Sequence, residues 1–163
     1  MDIKESYRRE FILGNIYGWT LSPDGYSVLL NKGSGNGVSE DDVIITDNRV
    51  LIGTVAETGE NFSKILAVTD SRFKATVRVL GSNTIGIING ALKDGLRLDL
   101  IVQDEQIKEG DIIVTSGNDT LPDSLIVGRV SKVKLSGNQV FKDVLVEPAM
   151  KNTILDRVMI LKK

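Results

Sequence analysis

Two stretches of this sequence are versions of one another, and that narrows the available folds more than any other feature. Laying "VSEDDVIITD" and the "LIGTV" that follows over "IKEGDIIVTS" and the later "IVGRV" pairs Val38 with Ile107, Glu40 with Glu109, Asp42 with Asp111, Val43 with Ile112, Thr46 with Thr115, Gly53 with Gly128 and Val55 with Val130. Each copy reads as strand, connection, strand, so the chain contains two similar β units. The paired aspartate and glycine stand 11 residues apart in the first copy and 17 in the second. The surplus falls within "TSGNDTLPDS", where the first copy has only "TDNR", which makes that segment a lengthened hairpin connection.

The rest of the sequence agrees with an all-β fold. From Tyr26 onward, short β-branched runs alternate with Gly, Asn and Asp punctuation roughly every ten residues, the spacing of sandwiches and barrels. In "LRLDL", Leu96, Leu98 and Leu100 are expected to face a core while Arg97 and Asp99 face water, and "ATVRV" places Ala75, Val77 and Val79 on one face. "DVII" and "DIIV" are apolar at consecutive positions and suit strands covered on both sides. Helix signals are weak beyond the first dozen residues, and "PAMKNTILDR" holds only a short turn.

Composition removes whole classes of chemistry. The chain has 163 residues, no histidine, no cysteine and a formal net charge of -2. Ser-His and Cys-His catalysis, thiolate metal sites and disulfides are therefore excluded, and nothing electrostatic favours nucleic acid as a partner. No cofactor or metal motif is present. Gly33, Gly35 and Gly37 superficially suggest a phosphate loop, but Val38 and Ser39 stand where a Walker motif needs Lys and Ser or Thr, so a strand connection requiring positive φ is the better reading. No run of about eighteen apolar residues occurs, and no signal peptide pattern opens the chain.

Ser116 invites a nucleophile reading, yet Val114 and Asn118 occupy the positions where a hydrolase elbow needs glycine, and residue 119 is Asp where an S-x-x-K dyad needs lysine. Thr115, Ser116 and Gly117 read instead as a strand end entering a tight turn, with the hydroxyls bonding local backbone. Gly53 and Gly128, at matched positions in β-branched strands, mark close approach of another chain segment or a barrel bend. Pro148 ends a strand at an edge or chain exit. Tyr17 and Trp19 are read as packing the first unit against its neighbour rather than as a partner hot spot.

The ordered series "YSVLLNKGSGNGV", "LIGTV", "SKILAVTD", "GDIIVTSG", "LP", "VGRVSKV" and "VEPA" resembles the extracytoplasmic β region of the bacterial rod shape-determining protein MreC family, from about Phe11 onward. In the lengthened connection the family carries a basic residue and a glycine after the proline; here Asp123 and Ser124 follow Pro122. The resemblance implies two small six-stranded β-barrels, over residues 11–85 (with possible recruitment of the C-terminal strand) and 86–163, preceded at residues 1–10 by the helical end of a coiled coil. It implies a non-enzymatic scaffold outside the cell membrane, anchored by a transmembrane helix upstream. Such a scaffold self-associates and binds a class B penicillin-binding protein, MreD and other elongation-complex membrane proteins. The candidate structural or partner-contact residues are Gly33, Gly37, Gly53, Asp70, Asp111, Thr115, Ser116, Gly117, Pro122, Gly128 and Pro148. A serine-hydrolase-like protein using Ser116 and a small-barrel module for peptide or glycan are the competing readings.

Overall fold

The computed structural model describes residues 11–23, 25–92, 95–102, 105–135, 140–152 and 156–163. Twelve strands run through them: β1 Phe11–Ser22, β2 Gly25–Leu30, β3 Val43–Ile45, β4 Leu51–Thr58, β5 Ser63–Ala67, β6 Lys74–Val79, β7 Ile85–Gly90, β8 Leu96–Asp99, β9 Ile112–Thr115, β10 Ile126–Lys134, β11 Asp143–Pro148 and β12 Arg157–Leu161. Short 3-10 turns occupy Ser34–Asn36 and Ala149–Asn152. The strands close into two antiparallel barrels of six, ordered β1-β12-β3-β4-β5-β2 and β10-β11-β8-β7-β6-β9. Closure leaves neither sheet with an open edge.

The division of the chain differs from the expected boundary at residue 85. One unit ends at Ala67 and takes back the last strand, while the other spans Val68–Asn152. Strand β6 belongs to the second barrel, where it pairs with β7 and β9. Its alternation correctly identified Ala75, Val77 and Val79 as core, but alternation says nothing about which barrel a strand joins. The helical tail assigned to residues 1–10 lies outside the described residues. Strand β1 begins at Phe11, within the dozen residues read as helical. Its alternation is broken by a bulge between Ile16 and Gly18, which hides the strand pattern.

The repeat is a three-dimensional one. In both copies the aspartate carboxylate accepts the backbone N–H three residues earlier, Ser39 to Asp42 at 2.8 Å and Lys108 to Asp111 at 3.0 Å. In both, the residue before the aspartate has positive φ, 70° at Asp41 and 92° at Gly110. Its N–H donates across the hairpin, to Val55 in one copy and Val130 in the other, at 2.8 Å each. Bulges also coincide, between Val55 and Glu57 in β4 and between Val130 and Lys132 in β10. A Cβ at Gly53 would collide with the Leu66 carbonyl, and one at Gly128 with the Glu147 carbonyl. The matched glycines therefore let the neighbouring strand pass close, as their recurrence suggested.

Each barrel interior is aliphatic. Val28, Leu30, Ile44, Ile65 and Ile160 are fully buried in the first, and Val77, Ile88, Leu98, Ile113, Val127 and Val144 in the second. At about 25 cal/mol per Å² of apolar surface removed from water, such branched residues supply the main favourable term.

Candidate interaction surface

The lengthened connection folds back onto the second barrel. Thr115, fully buried, donates its hydroxyl to the Pro122 carbonyl at 2.5 Å and accepts the Leu125 N–H at 2.9 Å. Asp119 accepts the Thr76 N–H at 2.8 Å, and the Ser116 N–H donates to the Thr76 carbonyl at 3.1 Å, which ties the loop to β6. Leu121 and Pro122 are buried beneath it. Asp123 and Ser124, the residues that depart from the family pattern, receive Arg78: its guanidinium lies 2.9 Å from Ser124 Oγ and 3.5 Å from Asp123. The Ser116 hydroxyl accepts the Asn118 N–H at 3.1 Å and so caps the turn. Gly117, with φ of 79°, supplies the left-handed residue that the turn needs.

A groove of about 530 Å³ is lined by Leu80, just past the end of β6, and by residues of β9, β10 and β11. Leu80, Ile112, Ile126 and Pro148 supply its apolar wall, Gly128 leaves room in it, and the cross-strand pair Arg129 and Glu147 adds one charge of each sign. Leu80 is 54% exposed, while Ile112 and Ile126 are half-buried. The strand register matches these three residues to Leu161, Val43 and Leu51 of the first barrel. Those are 1%, 1% and 0% exposed. The same apolar outer face is thus covered in one barrel and open in the other. Among the described residues, no group of three or more His, Cys, Asp or Glu side chains could hold a metal ion.

The remaining candidates take up structural positions. Asp70 is fully buried, and its carboxylate receives the Arg72 backbone N–H and Nε at 2.9 Å each and Nη2 at 2.8 Å. Burial pushes its pKa up, but the hydrogen bonds and charge of Arg72 outweigh this and hold it below the ordinary 3.8. Gly37 has the expected positive φ of 90°. Gly33 does not: its φ is -142°, and glycine is needed there because a Cβ would strike the Gly59 carbonyl. Buried Pro148 closes β11 opposite Gly128. Tyr17 and Trp19 are 58% and 49% exposed, so they are not core residues.

Leu80, Ile112 and Ile126 were not among the sequence candidates. Their signal was available in the repeat: "DIIV" carries an isoleucine at the outward position, matched to Val43. A second omission is the Lys162–Asp42 pair. Asp42 is 1% exposed, and Lys162 Nζ lies 2.6 Å from its carboxylate. Nothing local in the sequence links residues so far apart.

Two closed barrels carrying a matched strand–turn–strand repeat, with one apolar outer face left open, define a tandem-barrel module. Comparison with known proteins places it more narrowly. The family described as rod shape-determining protein MreC, barrel core, matches residues 19–162. The chain belongs to that family. It is 30% identical over 156 residues to the cell shape-determining protein MreC of Bacillus subtilis (strain 168), covering 87% of this chain and 54% of the relative. The MreC of Escherichia coli (strain K12) is 34% identical over 131 residues, covering 77% of this chain and 35% of the relative. The chain thus spans about half the length of its Bacillus relative and about a third of its Escherichia one. The crystal structure of MreC from Pseudomonas aeruginosa superposes with a TM-score of 0.86 at 24% identity, covering 94% of this chain and 99% of the other. The MreC in a complex with the penicillin-binding protein PBP2 from Helicobacter pylori superposes with a TM-score of 0.67 at 20% identity, covering 94% and 100%. At these identities the two structures speak for the fold.

Proposed function

We propose that this chain is the barrel core of a cell-shape scaffold that acts by binding wall-synthesis proteins rather than by catalysis. The observation that carries the reading is the open groove of the second barrel, apolar at positions that its sister barrel buries. A concave, mostly apolar groove with a charge of each sign beside it is the form that anchors a partner's side chains. The partner for the groove is a class B penicillin-binding protein, a reading supported by the related MreC that was solved with PBP2. Self-association, contact with MreD and other elongation-complex membrane proteins, and anchoring on the extracytoplasmic face of the membrane by a segment outside this chain complete the proposal. No helix among the described residues is long and apolar enough to cross a membrane.

The test uses the complete parent protein with Leu80→Asp or Ile112→Asp. Binding to the soluble part of the penicillin-binding protein is measured by interferometry, and rescue of rod shape is scored in cells lacking the native protein. Loss of both is expected, with the melting temperature unchanged for Leu80→Asp and lowered by only a few degrees for the half-buried Ile112→Asp. Unchanged binding by both variants would overturn the groove as the site, while a failure of the unaltered protein to restore rod shape would overturn the cell-shape reading itself.

A further inference from the structure

Strand β12 stands apart from the other strands. It follows the whole second barrel in the sequence, yet it lies between β1 and β3 of the first. Its register is Phe11 to Leu161 through Asn15 to Arg157 on one side, and Met159 to Ile45 through Leu161 to Val43 on the other. Along the chain this strand comes only after Val68–Asn152, which makes a complete barrel of its own.

The slot is shaped for this strand in two independent ways. Val158 and Ile160 are buried, and β1 opposes Val158 with Gly14, where a Cβ would stand 3.1 Å from Leu30 and 3.3 Å from Ile160. A side chain at Gly14 would press by a few tenths of an ångström on Leu30, Lys32 and Ile160. Beyond the last paired residue, Lys162 enters a polar cage, donating to the Gly37 carbonyl at 2.6 Å, Ser39 Oγ at 3.1 Å and the Asp42 carboxylate at 2.6 Å. The Lys163 N–H also donates to Asp42, at 3.0 Å. Charge-assisted bonds to a buried carboxylate are the strong, specifying kind. In the second barrel the place of β12 is taken by β6, which runs directly into β7, and Gly81 falls where the first barrel has Lys162. The lysine cage thus occurs only where the closing strand comes from a distant part of the chain.

The geometry points to the slot between β1 and β3 as a strand-binding site in its own right. Its ligand is an extended segment with two inward aliphatic residues two positions apart and a lysine two positions after the second. The segment Arg157–Lys163 fills it in this structure, and the site can take the same segment from a second copy of the chain. Recognition combines main-chain pairing on both sides with side-chain pockets, as in other strand-addition sites. The inference is independent of the proposed groove partner, and its test involves no cell-wall protein.

To test it, a protease site is inserted between Asn152 and Asp156 of the full chain, and the folded protein is cut there. The probe is a fluorescein-labelled synthetic peptide of residues 157–163. The released segment is expected to stay bound and to exchange for the labelled peptide. A peptide carrying Lys162→Met should leave at least about tenfold faster, as the loss of a charged hydrogen-bond partner implies. Emission from Trp19, the single tryptophan, and amide exchange in β1 and β3 report on the first barrel, and amide exchange in β6 and β9 on the second. Retention of the strand with no exchange, even in urea that exposes the β1 and β3 amides, would overturn the inference. So would loss of the strand with β1 and β3 still protected, or equal release of the two peptides. Because a cut protein could fail for other reasons, uncut Lys162→Met is measured as well. It should lower protection in β1, β3 and β12 and leave β6 and β9 unchanged; uniform loss would contradict a local strand site.

Discussion

The two barrels have one plan and two histories along the chain. Taken round from the closing strand, the first runs β12-β1-β2-β5-β4-β3 and the second β6-β7-β8-β11-β10-β9, the same order shifted by one strand in the sequence. The second barrel is continuous from Val68 to Asn152, whereas the first takes its sixth strand from beyond the second. The outer faces differ as well. Leu161, Val43 and Leu51 are buried where Leu80 is exposed and Ile112 and Ile126 are half-covered. The two copies share the aliphatic interior and the glycines that let strands pass, and differ in their surfaces and in the origin of the closing strand. Function is to be sought where the copies differ.

The sharpest test of that contrast exchanges a matched pair. Val43→Asp places an unpaired charge at a site 1% exposed and should cost about 4 kcal/mol or prevent folding. Ile112→Asp, at the matched half-buried site, should cost about 1 kcal/mol in urea unfolding. Equal losses would mean that the two faces are not differently covered.

The matched glycines test what the copies share. Gly53→Val and Gly128→Val each drive side-chain atoms into a neighbouring carbonyl and should each cost about 3 kcal/mol by denaturant titration. A difference of more than about 1 kcal/mol would show that the repeat is not equivalent at its tightest point.

Asp42 and Asp111 form the same turn, but only Asp42 also holds Lys162. Asp42→Asn should therefore cost about 2–3 kcal/mol, since it strands a partly buried ammonium, and Asp111→Asn about 0.5–1 kcal/mol. A double-mutant cycle with Lys162→Met isolates the difference.

Asp70 has no aspartate counterpart in the first barrel's hairpin repeat and gives the second a pH dependence of its own. Its folded pKa lies below the ordinary 3.8, so its contribution is fully present above that value and is lost as pH falls through the folded pKa. Asp70→Asn should cost about 1.5 kcal/mol near neutrality, discounted because Arg72 is half exposed. The gap between the variant and the unaltered protein should close below pH 3.8. A gap that widens on acidification would reverse the sign. The smallest effect is reserved for Ser116→Ala, which removes one turn hydrogen bond and should cost at most about 1 kcal/mol in a thermal melt.

The sequence by itself determined the β class, the repeat, and most strands. Those rest on period-two alternation, turn residues and matched spacing, all written in near neighbours. It also marked Gly53 and Gly128 as positions with a shared geometric cause, close approach or a barrel bend, because the same glycine recurs in two aligned strands. It misread β1, where a bulge breaks the alternation, and Gly33, whose need for glycine comes from a carbonyl contributed by Gly59 rather than from its own φ. Only the tertiary structure decided that β6 joins the second barrel, that β12 closes the first, that Lys162 meets Asp42, and that Leu80, Ile112 and Ile126 share one open groove. Each of these depends on which strands become neighbours once a sheet closes. That choice is governed by long-range pairing and packing, to which local periodicity contributes no information.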